Sequence, residues 1–251
     1  MMTAPAAARR HENRLLAGLP PFELASLARH LHVVSFGSGI ALHRQGGPLD
    51  FAYFPHDGLI SLLATTSTGE TIEVASAGRG GAICPMPASE LHDGFCLTAA
   101  PAGMRASRIA VATLQALLAE NEALNQAVEA CRESFLLHLR QNLVCGGLHP
   151  VEKRLARWLL EVADRLETDS IPIPATQEEV AQRLGVRRTT VTLLASRLQN
   201  IGAIRWGRSR VEILDRALLE NAACTCYGTL RERLGRLSRV DTAHRATAPA
   251  E

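Results

Sequence analysis

Arg187, Arg188, Thr189, Thr192, Ser196 and Arg197 share a stretch in which Val191, Leu194, Ala195 and Leu198 recur at helical spacing. One face of such a helix is apolar, and the other offers guanidinium and hydroxyl groups. Guanidinium bonds bidentately to guanine or phosphate, while threonine can donate, accept or touch a thymine methyl. Three more cations follow at Arg205, Arg208 and Arg210. Arg205 and Arg210 lie on two short apolar runs, Ala203–Trp206 and Arg210–Leu214, and Arg208 on the Gly207-Arg-Ser209 turn joining them, which predicts a β-hairpin. Cations on such a hairpin suit a phosphodiester backbone.

These residues need elements that hold them at one face. Thr176-Gln-Glu-Glu179 is a capping box, in which the Thr176 hydroxyl accepts from an amide while Glu179 reaches back. The helix it opens is short, with Val180, Ala181 and Leu184 inward and Gly185 ending it. Glycine permits positive φ, so the chain turns within a few residues before a second helix from about Arg188 to Asn200. Ala181 lets the helices approach, and Val186, Val191 and Leu194 fill the angle between them. The pattern predicts a helix-turn-helix followed by a hairpin wing. Base contacts are expected from Arg187, Arg188, Thr189 and Thr192. Phosphate contacts are expected from Thr176, Ser196, Arg197, Arg205, Arg208 and Arg210. A generic helix pair with a solvated charged face is the alternative, and it leaves the box, turn, hairpin and cations unrelated.

Charge distribution agrees. The chain is only +2 over 251 residues, but residues 1–149 carry 10 basic against 12 acidic groups and residues 150–251 carry 17 against 13. The basic excess lies with the predicted reader. A hydrophobic fraction of 47% with 21% charged residues is that of a globular protein, and the length suggests two domains. Cys84, Cys96, Cys131, Cys145, Cys224 and Cys226 are scattered and read as reduced thiols. No signal-peptide core and no membrane-length apolar run is present, so a cytoplasmic location without a membrane partner is expected.

Upstream, residues 1–12 read as a loose tail, and leucines from Leu15 to Leu31 recur at helical spacing around Pro20-Pro21. From His32 to about Val111, short alternating runs are punctuated by Gly37, Pro55, Asp57-Gly58, Gly69 and Gly78, indicating a compact β-roll. Thr113 to Cys145 reads as one long helix reaching a hinge at Gly146-Gly147. On it, Leu124, Val128, Cys131, Phe135 and His138 fit the alternating four-and-three steps of a two-helix seam. The expectation is a dimer helix over 121–146; packing on the chain's own β domain is the alternative. An amphipathic helix over His149 to Leu166, a connector at Asp169 to Pro174 and the reader complete a domain over 147–237, before a loose tail at 238–251. The fold class expected is α+β, with an antiparallel, jelly-roll-like β-roll over 13–120.

This layout resembles the Crp–Fnr regulators over about residues 13–230, most closely at Tyr53–Ser61, Glu73–Arg79, Arg154–Leu160, Thr176–Leu198 and Asp215–Tyr227. The resemblance implies a homodimeric transcription regulator reading an inverted repeat of duplex DNA, with RNA polymerase as a further partner. It puts base reading on Arg188, Thr189 and Leu193, and phosphate contact on Gln177. Thr189 and Leu193 depart from the Glu and Arg of the best-known members, so a different operator is expected.

It also marks Gly78, Arg79, Gly80 and Gly81 as the region of a possible effector. Cyclic nucleotide is not expected there, because Glu90 is the only Glu and no Arg or Lys lies between Arg79 and Arg105. An iron–sulfur cluster on clustered N-terminal cysteines is not expected either, since Cys84 is the first cysteine. An unidentified small molecule, redox chemistry at Cys84 or Cys96, or no ligand at all is left open.

His30-x-His32 with His43, and Cys224-x-Cys226, read as ordinary side chains, so no metal or cofactor is expected. Gly78-x-Gly80-Gly81 lacks the Lys-Ser/Thr of a phosphate loop, and no catalytic motif appears. The readings competing with a DNA-binding regulator are a ligand-sensing, protein-interaction module and an enzyme with an unrecognised site.

Overall fold

The computed structural model describes residues 12–43, 50–83, 95–99, 103–166 and 172–247, giving only the backbone for 95–99 and 237–247. Helices α1 (Arg14–Ala17) and α2 (Pro21–Ala28) precede strands β1 (His32–Phe36), β2 (Ala41–His43), β3 (Phe51–Pro55), β4 (Ile60–Thr65), β5 (Thr71–Ala77), β6 (Phe95–Ala99) and β7 (Met104–Ala110). Strand pairing is antiparallel throughout, in two sheets ordered β1-β7-β3 and β2-β6-β4-β5. This is the expected roll. Tyr53, Ile60, Ala75, Met104 and Ala106 fill it. Gly58 (φ +66) and Gly103 (φ +77) turn the chain where a Cβ would meet backbone oxygen at 2.9 and 2.5 Å.

The long helix differs from the sequence reading at both ends. Helix α3 (Val111–Glu120) stops at Asn121, whose Oδ1 accepts from the Leu124 amide at 2.8 Å and caps α4 (Glu122–Leu148). At its other end α4 runs straight through Gly146 and Gly147. The break falls at His149 (φ −113, ψ 141), because Pro150 disfavours helical backbone in the residue before it. Glycine only weakens a helix, whereas proline excludes one.

Helix α5 (Val151–Leu166), strand β8 (Ile173–Pro174), helices α6 (Gln177–Leu184) and α7 (Arg188–Asn200), and strands β9 (Ile204–Trp206) and β10 (Arg210–Ile213) build the second unit. Helices α8 (Arg216–Ala222) and α9 (Cys226–Thr247) close it, so helix continues through 238–247 where a loose tail is expected. Leu155, Leu159, Val180, Val191, Leu198, Ile204 and Val211 share one core, which also takes in Leu59 from the roll.

A buried ion pair joins reader to roll. Arg183 on α6 donates from Nη1 to Glu73 on β5 and to Ser61 on β4, and both charged side chains are under a tenth exposed. The Trp158 indole donates to the other Glu73 oxygen at 3.3 Å. Removing one partner strands a buried charge, which costs about 3–5 kcal/mol. Glu73→Ala is therefore expected to lower urea-unfolding stability by about 3 kcal/mol or more, with the Glu73→Met/Arg183→Met double variant losing much less. A loss below about 1 kcal/mol for Glu73→Ala would show that the pair is solvated.

Candidate nucleic-acid interface

Thr176 and Glu179 form the capping box reciprocally. The Glu179 amide donates to the Thr176 hydroxyl at 3.2 Å, and the Thr176 amide donates to the Glu179 carboxylate at 2.8 Å. Gly185 ends α6 at φ +66, ψ 42, and Val186 donates back to the Ala181 carbonyl at 2.9 Å. Behind this corner α7 buries Val191, Leu194, Ala195 and Leu198. It leaves Arg188, Thr189, Thr192, Leu193 and Ser196 exposed in one row, with Arg187 exposed at its N-cap.

The expected contact residues are thus brought together, but not all are equally available. Thr176 is committed to the cap. Thr192 donates to Gln177 at 2.6 Å, tying α7 to the first turn of α6. Arg197 pairs with Glu152 at 3.0 Å, and Arg205 with Glu212 at 3.0 Å across the wing. Those exposed pairs are weak and can exchange for phosphate. Arg208 and Arg210 stand exposed at the wing tip. Cations and hydroxyls therefore span the α7 face and the wing.

The five residues expected at a two-helix seam lie elsewhere. Leu124 and Val128 are buried in the protomer's own core, with Cys131 packed on it. Phe135 packs against the roll core, and His138 is buried against α5. The four-and-three rhythm runs along α4 but belongs to its inward face. The outward face carries Leu136, Leu143, Val144 and Leu148, exposed by 46, 79, 47 and 75%.

Gly78, Gly80 and Gly81 line a cavity of about 550 Å³ between the roll, α4, α5 and α9. Its walls also hold Ser76, Ser134, His138, Asp164, Tyr227 and Arg231. Gly78 is required there by contact, since a Cβ would come within 2.8 Å of the Arg165 carbonyl oxygen. Arg79 turns away, donating to the Glu12 carbonyl at 2.5 Å. Cys84 lies outside the described residues, as does the Cys96 side chain.

One cluster went unread in the sequence. Cys145 and His149, at the end of α4, meet Cys224 and Cys226, at the start of α9, and their ligand atoms all lie within 4.8 Å of one another. The available signal was Cys-x3-His at a helix end in addition to Cys-x-Cys.

Residues 153–222 match the family model of the Crp-like helix-turn-helix domain. Among solved structures, FixK2 from Bradyrhizobium japonicum superposes with a TM-score of 0.67 at 16% identity, over 78% of this chain and 98% of that one. The c-di-GMP responsive global regulator CLP of Xanthomonas campestris gives 0.65 at 16% identity, covering 78% of this chain and 100% of that one. A transcriptional regulator of the CRP/FNR family from Thermus thermophilus gives 0.60 at 23%, covering 76% and 98%. No curated protein sequence matches. Residues 153–222 thus carry a Crp-like helix-turn-helix domain, and the chain shares its overall fold with solved regulators of the Crp–Fnr type. Among the described residues, no helix is long and apolar enough to cross a membrane.

The cavity wall is pH-sensitive. Burial, reinforced by Arg165 and Arg157 against the pull of Glu161, holds the His138 imidazole below its usual range. Burial also opposes ionisation of Glu161, but His138, Arg165 and Arg157 outweigh it and lower the carboxyl to about 2. The unfolded chain therefore binds protons that the folded one refuses. Stability is fully present above the ordinary histidine value and falls as pH drops through it, then falls further as unfolded Glu161 protonates. Between pH 7.5 and 5.5 the loss from His138 should approach at most about 1.4 kcal/mol. Urea titrations should show this slope flattened in His138→Gln; an unchanged slope refutes the assignment.

Proposed function

We propose that the protein is a homodimeric, sequence-specific regulator that inserts α7 into the major groove of duplex DNA. The observation that carries this is the exposed row Arg188, Thr189, Thr192 and Leu193, fixed by a capped helix and a left-handed glycine corner, beside a cationic wing. Arg188 is suited to a guanine edge. Thr189 and Leu193 are suited to smaller contacts, including the thymine methyl. Gln177, Ser196, Arg197, Arg205, Arg208 and Arg210 would meet phosphates and fix register. The cavity beside Gly78–Gly81 would receive the unidentified signal.

The dimer reading is supported by the outward face of α4. Leu136, Arg140, Leu143 and Gly147 follow steps of four, three and four, with Val144 and Leu148 flanking them. A Cβ at Gly146 or Gly147 would meet nothing within 4 Å in the protomer, so these glycines leave room for a second helix. Leu143→Glu is expected to convert the dimer to monomer by sedimentation at micromolar concentration. A wild-type monomer, or a variant that stays dimeric, defeats this seam.

Selection from a random duplex pool at about 0.15 M salt should yield a two-fold symmetric motif with the wild type. Arg188→Ala should lose discrimination at one base pair per half-site, worth about 1–3 kcal/mol. Arg208→Ala should weaken all sequences alike and reduce the salt slope by about one unit per protomer. Equal binding of selected and scrambled duplexes, or a shallow salt slope, overturns the reading in favour of a protein-contact surface.

A further inference from the structure

We propose that Cys145, His149, Cys224 and Cys226 form a binding site for one divalent ion of the zinc class. This goes beyond the DNA-binding reading and does not depend on it. Cys145, Cys224 and Cys226 are buried as a separate small cluster, apart from both domain cores, with Cys145 wholly inaccessible. Cysteines set aside in this way add little to either core. Their chemistry is the better account of their convergence from positions 79 residues apart in sequence.

The spacing of the ligand atoms suits a tetrahedral site. An ion held at about 2.3 Å by sulfur and about 2.0–2.1 Å by nitrogen needs sulfurs about 3.8 Å apart and sulfur and nitrogen about 3.5 Å apart. Cys145 and Cys224 have their sulfurs 3.5 Å apart, and Cys226 Sγ lies 3.4 Å from His149 Nδ1. Every other pair of ligand atoms is within 4.8 Å. A disulfide requires about 2.05 Å, and all three cysteines are free. A polynuclear iron–sulfur core would hold its ligand sulfurs farther apart, because iron and sulfide occupy the centre.

Ligand chemistry narrows the ion. Three thiols and an imidazole are soft donors that disfavour magnesium and calcium, and four protein ligands leave no open position. The site is therefore structural in kind. Binding displaces a proton from each of the three thiols, leaving three thiolates, a neutral histidine and a divalent cation with a net charge of −1. The neighbourhood suits that charge. The Arg157 guanidinium acts electrostatically on all three cysteines. Its Nε is buried without a hydrogen-bond partner, and its Nη1 lies 3.5 Å from Glu161. The Gln141 side chain donates to Cys226, as an outer-shell group would.

The ligands come from two separate helix boundaries. Cys145 and His149 straddle the end of α4 at the Pro150 break, and Cys224 and Cys226 straddle the start of α9. An ion there pins α9 along α4, where Leu230, Arg231 and Leu234 wall the cavity.

The test uses full-length protein, reduced and handled without oxygen. Metal analysis of the isolated protein should find about one zinc per chain. Cobalt(II) added to chelator-stripped protein should give thiolate charge-transfer and intense tetrahedral ligand-field bands. Cys224→Ser and His149→Ala should each weaken cobalt binding by well over about tenfold, and Gln141→Ala by roughly tenfold, while Cys131→Ser leaves it unchanged. Chelator should lower the thermal midpoint of the wild type but not that of Cys224→Ser, a comparison that still reads if the variant is less stable. Stripped wild type without tetrahedral cobalt bands overturns the proposal. So do stoichiometric iron and sulfide, or a Cys145–Cys224 disulfide in the oxygen-free protein.

Discussion

The orientation of the reader rests on one salt bridge that neither partner can exchange for water. Arg183 lies on the first helix of the helix-turn-helix, and Glu73 lies on a strand of the roll. Burying two charges costs several kcal/mol of desolvation, which their attraction only approximately offsets. Such a pair is a poor way to gain stability but a strict way to fix geometry, because a shift of α6 leaves two charges unsatisfied. Helix α7 cannot relax independently. The corner at Gly185 and the packing of Val191 and Leu194 make it rigid on α6. The direction of the Arg188 row is thus set by a contact with the β-roll, on the far side of α6.

Local chemistry explains what could be read from sequence. Thr176, Glu179 and Gly185 act within a few residues of one another, so their types alone specify a cap and a corner. The hairpin around Gly207 and the alternating roll strands are legible for the same reason. The periodicity of Leu124, Val128, Cys131, Phe135 and His138 was also legible, but periodicity reports only that a face is apolar. It cannot say whether the chain's own elements or a second copy cover it, and here the chain's own roll and helices do. Gly146-Gly147 misled by composition, since the proline two positions past the helix end, not the glycines, decides where it stops.

The remainder depends on contacts across long stretches of sequence. Arg183 meets Glu73 across 110 positions, and Cys145 meets Cys224 across 79. No window on the chain shows either pairing. Arg183 reads locally as an exposed helix residue near a C-terminus, and Cys145 as an apolar filler. Their roles appear only once α6 packs on the roll and α9 packs on α4.

That packing bears on how a signal could act under the proposed function. Ligand in the cavity changes DNA affinity only if it binds two arrangements of the reader unequally. An effector must therefore touch something that differs between them. The cavity borders supply such groups: Gly78 abuts Arg165, Arg165 donates to His138, and both adjoin Glu161 on the helix leading into the reader. Helix α5 also carries Trp158, which bonds Glu73. A displacement of α5 is thus felt at both the cavity and the Arg183 contact, with no intervening loop to absorb it. To move the reader from 1:99 to 99:1, the two arrangements must differ by about 5.5 kcal/mol in effector binding. That exceeds one neutral hydrogen bond and is comparable to losing a buried charge partner. An anionic or cationic effector that replaces a partner of Arg165 or Glu161 would meet this requirement.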